Sequence, residues 1–292
     1  MRRLALDVAG RVVLVTGGAR GIGLDTAQRL AARGARLALL DIDGAEAQRA
    51  ASRLGGGAIA EAVDVTDVEA LAAAVQRVVD RLGGIDVVIA NAGIEPPPAT
   101  MLSVDRAQFD RVLAVNLHGV WNTVKATLPQ VVARRGHVVL VASAYAFMNG
   151  TMAAPYAASK AAVEQLGRAL RAELGPHGAT AGVAYFGFVD TALVRRAFAS
   201  ETVSAVRQAL PGWLTRPVEV GRAGEAIARG VERRAPRMTA PGWVAPALVL
   251  RGVIAGLDGV LVRDRRLHGA IRLAESSPPA AVASPPGVEA GG

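Results

Sequence analysis

The chain contains no cysteine, which excludes disulfides, thiolate metal sites and thiol nucleophiles. Lysine is nearly as scarce: of 33 basic residues only Lys125 and Lys160 are lysines, and the rest are arginine. Aromatic residues supply 4% of the 292 positions. They do not interleave with the scattered arginines, so the net charge of +8 does not read as a nucleic-acid surface. Four histidines (His118, His137, His177 and His268) match no ligand spacing, and no metal is expected. Long apolar runs are missing too, because Arg251 and Asp258 break the one that begins at Trp243. Residues 1–7 lack the apolar core and cleavage site of a signal peptide, so the expected compartment is the cytoplasm.

What is present is apolar bulk, 51% of all residues, enough for a large buried core. Against that background Tyr156-Ala-Ala-Ser-Lys160 stands out. A solvated cation in this chain is almost always arginine, so a lysine one helical turn after one of only three tyrosines points to chemistry. Side chains four apart leave the same face of a helix. A free phenol has a pKa near ~10 and exchanges protons poorly at neutral pH; an adjacent ammonium favours phenolate and is expected to draw that value down. Ser143, thirteen residues earlier, offers a hydroxyl to hold a substrate oxygen.

The chain order supplies the frame. Arg11–Thr16 reads as a buried strand that runs into Gly17-Gly18-Ala19-Arg20-Gly21-Ile22-Gly23 and then a helix to Arg33. Strand, glycine turn and helix N-terminus in that order suit a pyrophosphate, because backbone can approach closely and free N–H groups face the anion. A second strand ends in Asp41, placed to take adenosine ribose hydroxyls and to repel a 2′-phosphate. NAD is therefore expected, with NADP as the alternative that Arg20 would serve. Further strands are predicted at 58–63, 85–90, 136–142 and 179–184, with helices at 68–82, 109–134 and from Tyr156 to near Gly175. That alternation predicts an α/β fold with a doubly wound parallel sheet.

Taken together these motifs resemble the classical short-chain dehydrogenase/reductase family. Thr16-Gly17-xxx-Gly21-Ile22-Gly23 is similar to its cofactor turn, Asn91-Ala92-Gly93 to its strand-four motif, and Asn116, Ser143, Tyr156 and Lys160 to its catalytic tetrad in order and spacing. The similarity spans residues 8–195. It implies a single Rossmann-type domain, three layers deep, with strand order 3-2-1-4-5-6 and commonly a seventh strand. By resemblance Tyr156 is the general acid/base, Ser143 orients the substrate oxygen, Lys160 holds the nicotinamide ribose, and Asn116 positions a water. The resemblance also implies that Asp41 meets the adenosine ribose, Asp64 and Val65 the adenine, Asn91 the neighbouring ribose, and Val189 and Thr191 the carboxamide. Phe186-Gly187 replaces the family's usual Pro-Gly, and Ala142 its second serine.

Residues 192–215 are expected to form a flap. With Tyr145, Phe147, Met148, Phe186, Phe188, Phe198, Leu210 and Trp213 they imply an apolar pocket suited to a lipophilic secondary alcohol or ketone. The expected domain is 8–235, with a helical extension at 236–275 and a disordered tail at 276–292. No closing strand is recognisable past 235. Arg251, Asp258, Arg265 and Arg272 recur every seven residues, which predicts one polar helix face and an apolar remainder for docking or for contact with an anionic membrane. The family implies a homodimer or homotetramer. An NADPH-dependent ketoreductase and a silent cofactor-binding scaffold are the alternative functions.

Overall fold

The computed structural model describes residues 5–276, so the tail expected at 276–292 falls, all but Ser276, outside the described residues. Seven strands form one parallel sheet: β1 (Val12–Thr16), β2 (Arg36–Asp41), β3 (Ile59–Ala62), β4 (Val87–Ala90), β5 (His137–Val141), β6 (Thr180–Phe186) and β7 (Arg237–Ala240), in the order β3-β2-β1-β4-β5-β6-β7. The order reverses between β1 and β4, and such a crevice at the strands' C-terminal edge is where open α/β sheets take ligands. Alternate residues feed two cores. Leu14, Leu40, Val88 and Leu140 face one helical layer, and Val15, Leu39, Ile89 and Val139 the other, as period-two side chains must.

One layer contains α1 (Gly21–Ala31), α2 (Gly44–Leu54) and α10 (Val220–Glu232). Glu225 ties α10 to α1 through Arg29 and Arg33, each at 3.0 Å. The other contains α3 (Val68–Leu82), α5 (Gly119–Ala133) and α6 (Ala154–Glu173). The long helix expected at 109–134 is interrupted. It runs as α4 (Arg106–Leu113), a π-turn at Ala114–His118 and then α5. The wider turn carries Asn116 inward, where it is fully buried.

Two expectations for the C-terminal third are corrected. The sheet does not end before 235: β7 pairs with β6, Ala184 opposite Met238. Nor do Arg251, Asp258, Arg265 and Arg272 share a face. The segment breaks into α11 (Val244–Val249), α12 (Arg251–Gly256), α13 (Asp258–Leu261) and α14 (Arg265–Ser276), with Gly252, Gly256 and Gly259 weakening any continuous helix. Arg251 turns back to Glu164 at 2.5 Å. The flap folds as α7 (Ala192–Phe198), α8 (Glu201–Ala209) and α9 (Gly212–Thr215), and Leu267, Ala270 and Ala274 of α14 are buried beside α8. Among the described residues no helix is long and apolar enough to cross a membrane.

Candidate active site

Strand β5 delivers Ser143 to the C-terminal edge of the sheet, two residues beyond Val141. The buried Ser143 hydroxyl donates to the Phe186 carbonyl at 3.3 Å and accepts from the Tyr145 amide at 3.2 Å. It also hydrogen-bonds the Tyr156 phenol. On α6, Tyr156 and Lys160 face the same way, with Nζ 5.6 Å from the ring centroid. Lys160 is buried and donates to the Val141 carbonyl at 3.0 Å.

The electrostatics differ from the sequence expectation. Tyr156 is pushed above its ordinary value, by burial first and then by Glu95, and the Ser143 hydrogen bond only partly offsets this. Burial draws Lys160 down to about 8, against an upward pull from Glu95, and raises Tyr145 to about 12, Glu95 adding to the effect. Thus the phenol is protonated at neutral pH and the amine charged.

Asn116 clamps the loop after β4. Its Oδ1 accepts from the Ile94 amide at 2.7 Å and its Nδ2 donates to the Ile94 carbonyl at 2.8 Å; a longer bond reaches Ser159 Oγ at 3.3 Å. Its side chain is thus engaged by the Ile94 backbone and by Ser159.

The glycine turn opens α1 with φ +62° at Gly17 and +57° at Gly21, conformations that favour glycine. Arg20 caps α1 without a side-chain bond, and the first turn holds no acid, so the helix N–H groups point outward unneutralised. This is the donor set an incoming diphosphate requires. Asn91 Nδ2 donates to the Thr16 and Gly17 carbonyls at 3.0 and 3.1 Å, bracing the turn. Ala92 N–H reaches Thr16 Oγ1 at 3.2 Å. A Cβ on Gly93 would stand 3.1 Å from Asn116 Oδ1, so the motif's last residue must be small.

A Cβ on Gly23 would lie 2.2 Å from the Gly17 carbonyl oxygen and 2.8 Å from Asn91 Nδ2. Gly23→Ala is expected to cost about 1–3 kcal/mol, the usual penalty of overpacking, and to weaken dinucleotide binding. Urea unfolding and NADH fluorescence titration measure both; an unmoved unfolding midpoint would contradict so tight a turn.

Asp41 is buried at the end of β2, accepting from the Ala19 amide at 3.0 Å and the Asp43 amide at 3.1 Å. Arg20 is held by Asp43 at 2.5 Å, and Asp43 also caps α2 through the Glu46 amide. Asp64 closes a local turn onto Thr66, and the Val65 carbonyl accepts from Asn122 at 3.0 Å. Val189 is buried and bridges to Val218. Thr191 caps α7, and its Cγ2 lies 3.5 Å from where a Gly21 Cβ would stand.

Ser143 and Tyr156 open onto a cavity of about 330 Å³, also lined by Tyr145, Met148, Phe186, Phe188 and Leu210. Trp213 does not line it. It is 62% exposed and stands edge-on to Trp243, centroids 5.8 Å apart; Trp243 fills the wall instead. Gly187 permits this, since a Cβ there would lie 3.0 Å from the indole. Phe147 packs into the core against Tyr185, and Phe198 stands behind Phe188 at 5.1 Å.

Sequence reasoning also missed Ile254, Leu257, Asp258 and Leu261 on the C-terminal helices, and Glu95 after β4, all of which line the cavity. A carboxylate just past Asn91-Ala92-Gly93, at the ligand edge of the sheet, was the available signal for Glu95. The C-terminal residues carry no local signal.

A family model described as short chain dehydrogenase matches residues 11–202. Cis-4-hydroxycyclohexanecarboxylate dehydrogenase of Sinomonas cyclohexanicum is 36% identical over 219 residues, 74% of this chain and 88% of that protein. (-)-trans-Carveol dehydrogenase of Rhodococcus erythropolis is 35% identical over 187 residues, 58% of this chain and 68% of that protein. The crystal structure of a 3-ketoacyl-(acyl-carrier-protein) reductase from Brucella melitensis, complexed with NADH, matches with a TM-score of 0.71 and 28% identity, covering 80% of this chain and 98% of that one.

Proposed function

The chain belongs to the short-chain dehydrogenase family, and from that premise we propose that it interconverts a lipophilic secondary alcohol and its ketone, with NAD(H) as partner. The observation that carries this reading is Ser143 and Tyr156 together on the wall of a largely apolar cavity at the C-terminal edge of the sheet, with the Lys160 ammonium 5.6 Å from the centre of the Tyr156 ring. A relative named for carveol, a lipophilic cyclic alcohol, suits a cavity of that character.

The nicotinamide, when bound, supplies or takes the hydride at the carbinol carbon. Ser143 holds the substrate oxygen. In reduction, Tyr156 gives its phenolic proton to that oxygen as the carbonyl becomes an alcohol; in oxidation, the phenolate takes the hydroxyl proton back. Lys160 places a positive charge within reach of the ring and steadies the phenolate whenever it forms. Asn116 fixes the Ile94 backbone, and with it the loop beside the phenol. The phenyl and indole walls exclude water and favour an apolar skeleton.

Asp41 and the Arg20–Asp43 pair together favour NAD. A 2′-phosphate would approach a buried carboxylate, while the one nearby guanidinium in the turn is already engaged. Like charges brought together across an interface cost several kcal/mol. We expect kcat/KM with NAD to exceed that with NADP by about tenfold or more, a difference of about 1.4 kcal/mol. Initial rates on cyclic secondary alcohols with each cofactor, followed by absorbance of the reduced form, test both statements. A clear NADP preference would remove the role given to Asp41.

A further inference from the structure

Glu95 has no part in the proton transfer described above, and its surroundings do not suit a structural carboxylate. It lines the same cavity as Ser143, Tyr145 and Tyr156. Among the described residues no hydrogen bond or ion pair reaches its carboxyl group. Glu95 is half-buried as a residue, yet burial of the carboxyl pushes it up to about 7, with Lys160 pulling the other way. Lys160, the neighbouring cation, donates to Val141 instead.

The backbone that carries Glu95 is held on both sides. Ile94 is gripped at both its N–H and its C=O by Asn116. Pro96, Pro97 and Pro98 follow with restricted φ, and the Ala99 amide is tied to the Met152 carbonyl at 3.0 Å. A carboxylate held against an apolar wall without a donor is costly. Such a group persists where a ligand completes it, and ligand cavities use a few fixed polar groups in this way to set orientation. Asp258, on the C-terminal side of the cavity, adds a second acid and no compensating cation.

We propose that Glu95 determines substrate choice by accepting a hydrogen bond from a second donor, a hydroxyl or a protonated amine, carried on the same lipophilic skeleton as the reacting carbinol. The inference rests on Ser143 and Tyr156 being the reacting pair. It narrows the substrate class from lipophilic alcohols in general to those with two polar ends, one oxidised and one recognised. Recognition by Glu95 involves no proton transfer to or from the reacting oxygen, which remains with Tyr156.

Four probes built on one cyclohexanol ring separate the outcomes: 4-methylcyclohexanol, 1,4-cyclohexanediol, 4-aminocyclohexanol and the larger 4-hydroxycyclohexanecarboxylate, assayed with NAD at pH 8. The wild-type chain is expected to favour the diol or the amino alcohol over the methyl compound by about 10–100-fold in kcat/KM, the range of a hydrogen bond to a charged group, and to disfavour the carboxylate. The diol and amine arms tell a neutral donor from a cationic one. In Glu95→Gln the preference should shrink to within about threefold, carried by KM, and Glu95→Asp should restore part of it. A loss of equal size on every probe, seated in kcat, would overturn the proposal and place Glu95 in the proton path. Turnover of all probes with no preference in the wild type overturns this inference alone. Absence of turnover on every probe overturns the dehydrogenase reading as well. Thermal shifts of the NADH-loaded protein with each probe's ketone check the same ranking where a variant is too slow to assay.

Discussion

Tyr156→Phe should lower turnover by about 10³-fold, within the ~10²–10⁴ range contributed by a positioned acid/base, while folding and NADH affinity are retained. The ring stays where it packs, edge-on to Tyr145 with centroids 6.0 Å apart, so only the hydroxyl is lost. That hydroxyl meets Ser143 and faces the cavity. Its raised pKa keeps it protonated through neutral pH, the form required to donate to a carbonyl oxygen. Ser143→Ala should act on the same step, and the double variant should lose little more than Tyr156→Phe alone, since residues acting as a unit are not additive. Single-turnover rates on the best ketone measure this. Survival of turnover within tenfold in Tyr156→Phe would mean that another group supplies the proton.

Lys160→Met should cost about 10²–10³-fold in turnover, as expected for removing one fixed electrostatic partner of a developing charge. Its effect on stability should depend on pH in a direction set by the lysine itself. Burial lowers the folded-state value from 10.5 to about 8. Below pH 8 both folded and unfolded chains hold the proton, and the full cost of burying the ammonium stands. Between pH 8 and 10.5 the folded chain has released a proton that the unfolded chain keeps, so wild-type stability rises relative to the variant. The shift corresponds to about 3–4 kcal/mol at ~1.4 kcal/mol per pH unit. Methionine has no charge to bury but leaves the Val141 carbonyl without its donor, a loss of about 1–3 kcal/mol that does not vary with pH. The offset between the two proteins is therefore less informative than its slope. Urea unfolding at pH 7, 8, 9 and 10 should show the wild type gaining on the variant at each step above 8. Parallel pH profiles would rule out a perturbed ammonium at this position.

The two effects have a common origin. Ser143, Tyr156 and Glu95 line one largely apolar cavity and Lys160 is buried beside Tyr156, so burial keeps the phenol neutral, lowers the lysine and raises the glutamate. Desolvation acts on all three in the direction that disfavours charge. A polar substrate group entering beside Glu95 would ease one of these costs, which is why substrate choice and site electrostatics belong together.

Much of this molecule can be read from short stretches of its sequence. The glycine turn, Asp41 at a strand end, and Tyr156 one turn before Lys160 are each defined within a few residues, because backbone geometry and helix period act locally. The alternation of strand and helix predicts the parallel sheet for the same reason. The order of its strands came instead from resemblance to a family, as did the place of Asn116 in the tetrad.

Other features depend on residues far apart in the chain. The π-turn that sends Asn116 to Ile94, the Trp243 that replaces Trp213 in the cavity wall, and the residues of α12 and α13 that line the cavity all arise from long-range packing. So does β7, whose Arg237-Met-Thr-Ala run is too brief to announce a strand until β6 lies beside it. The balance of charge is the clearest case. Sequence spacing puts Lys160 next to Tyr156 and suggests a lowered phenol, but burial and Glu95, brought in from the loop after β4, set the direction instead. Spacing along a helix determines which groups can meet; only the folded surroundings determine how much water is left around them, and water decides which of them carries charge.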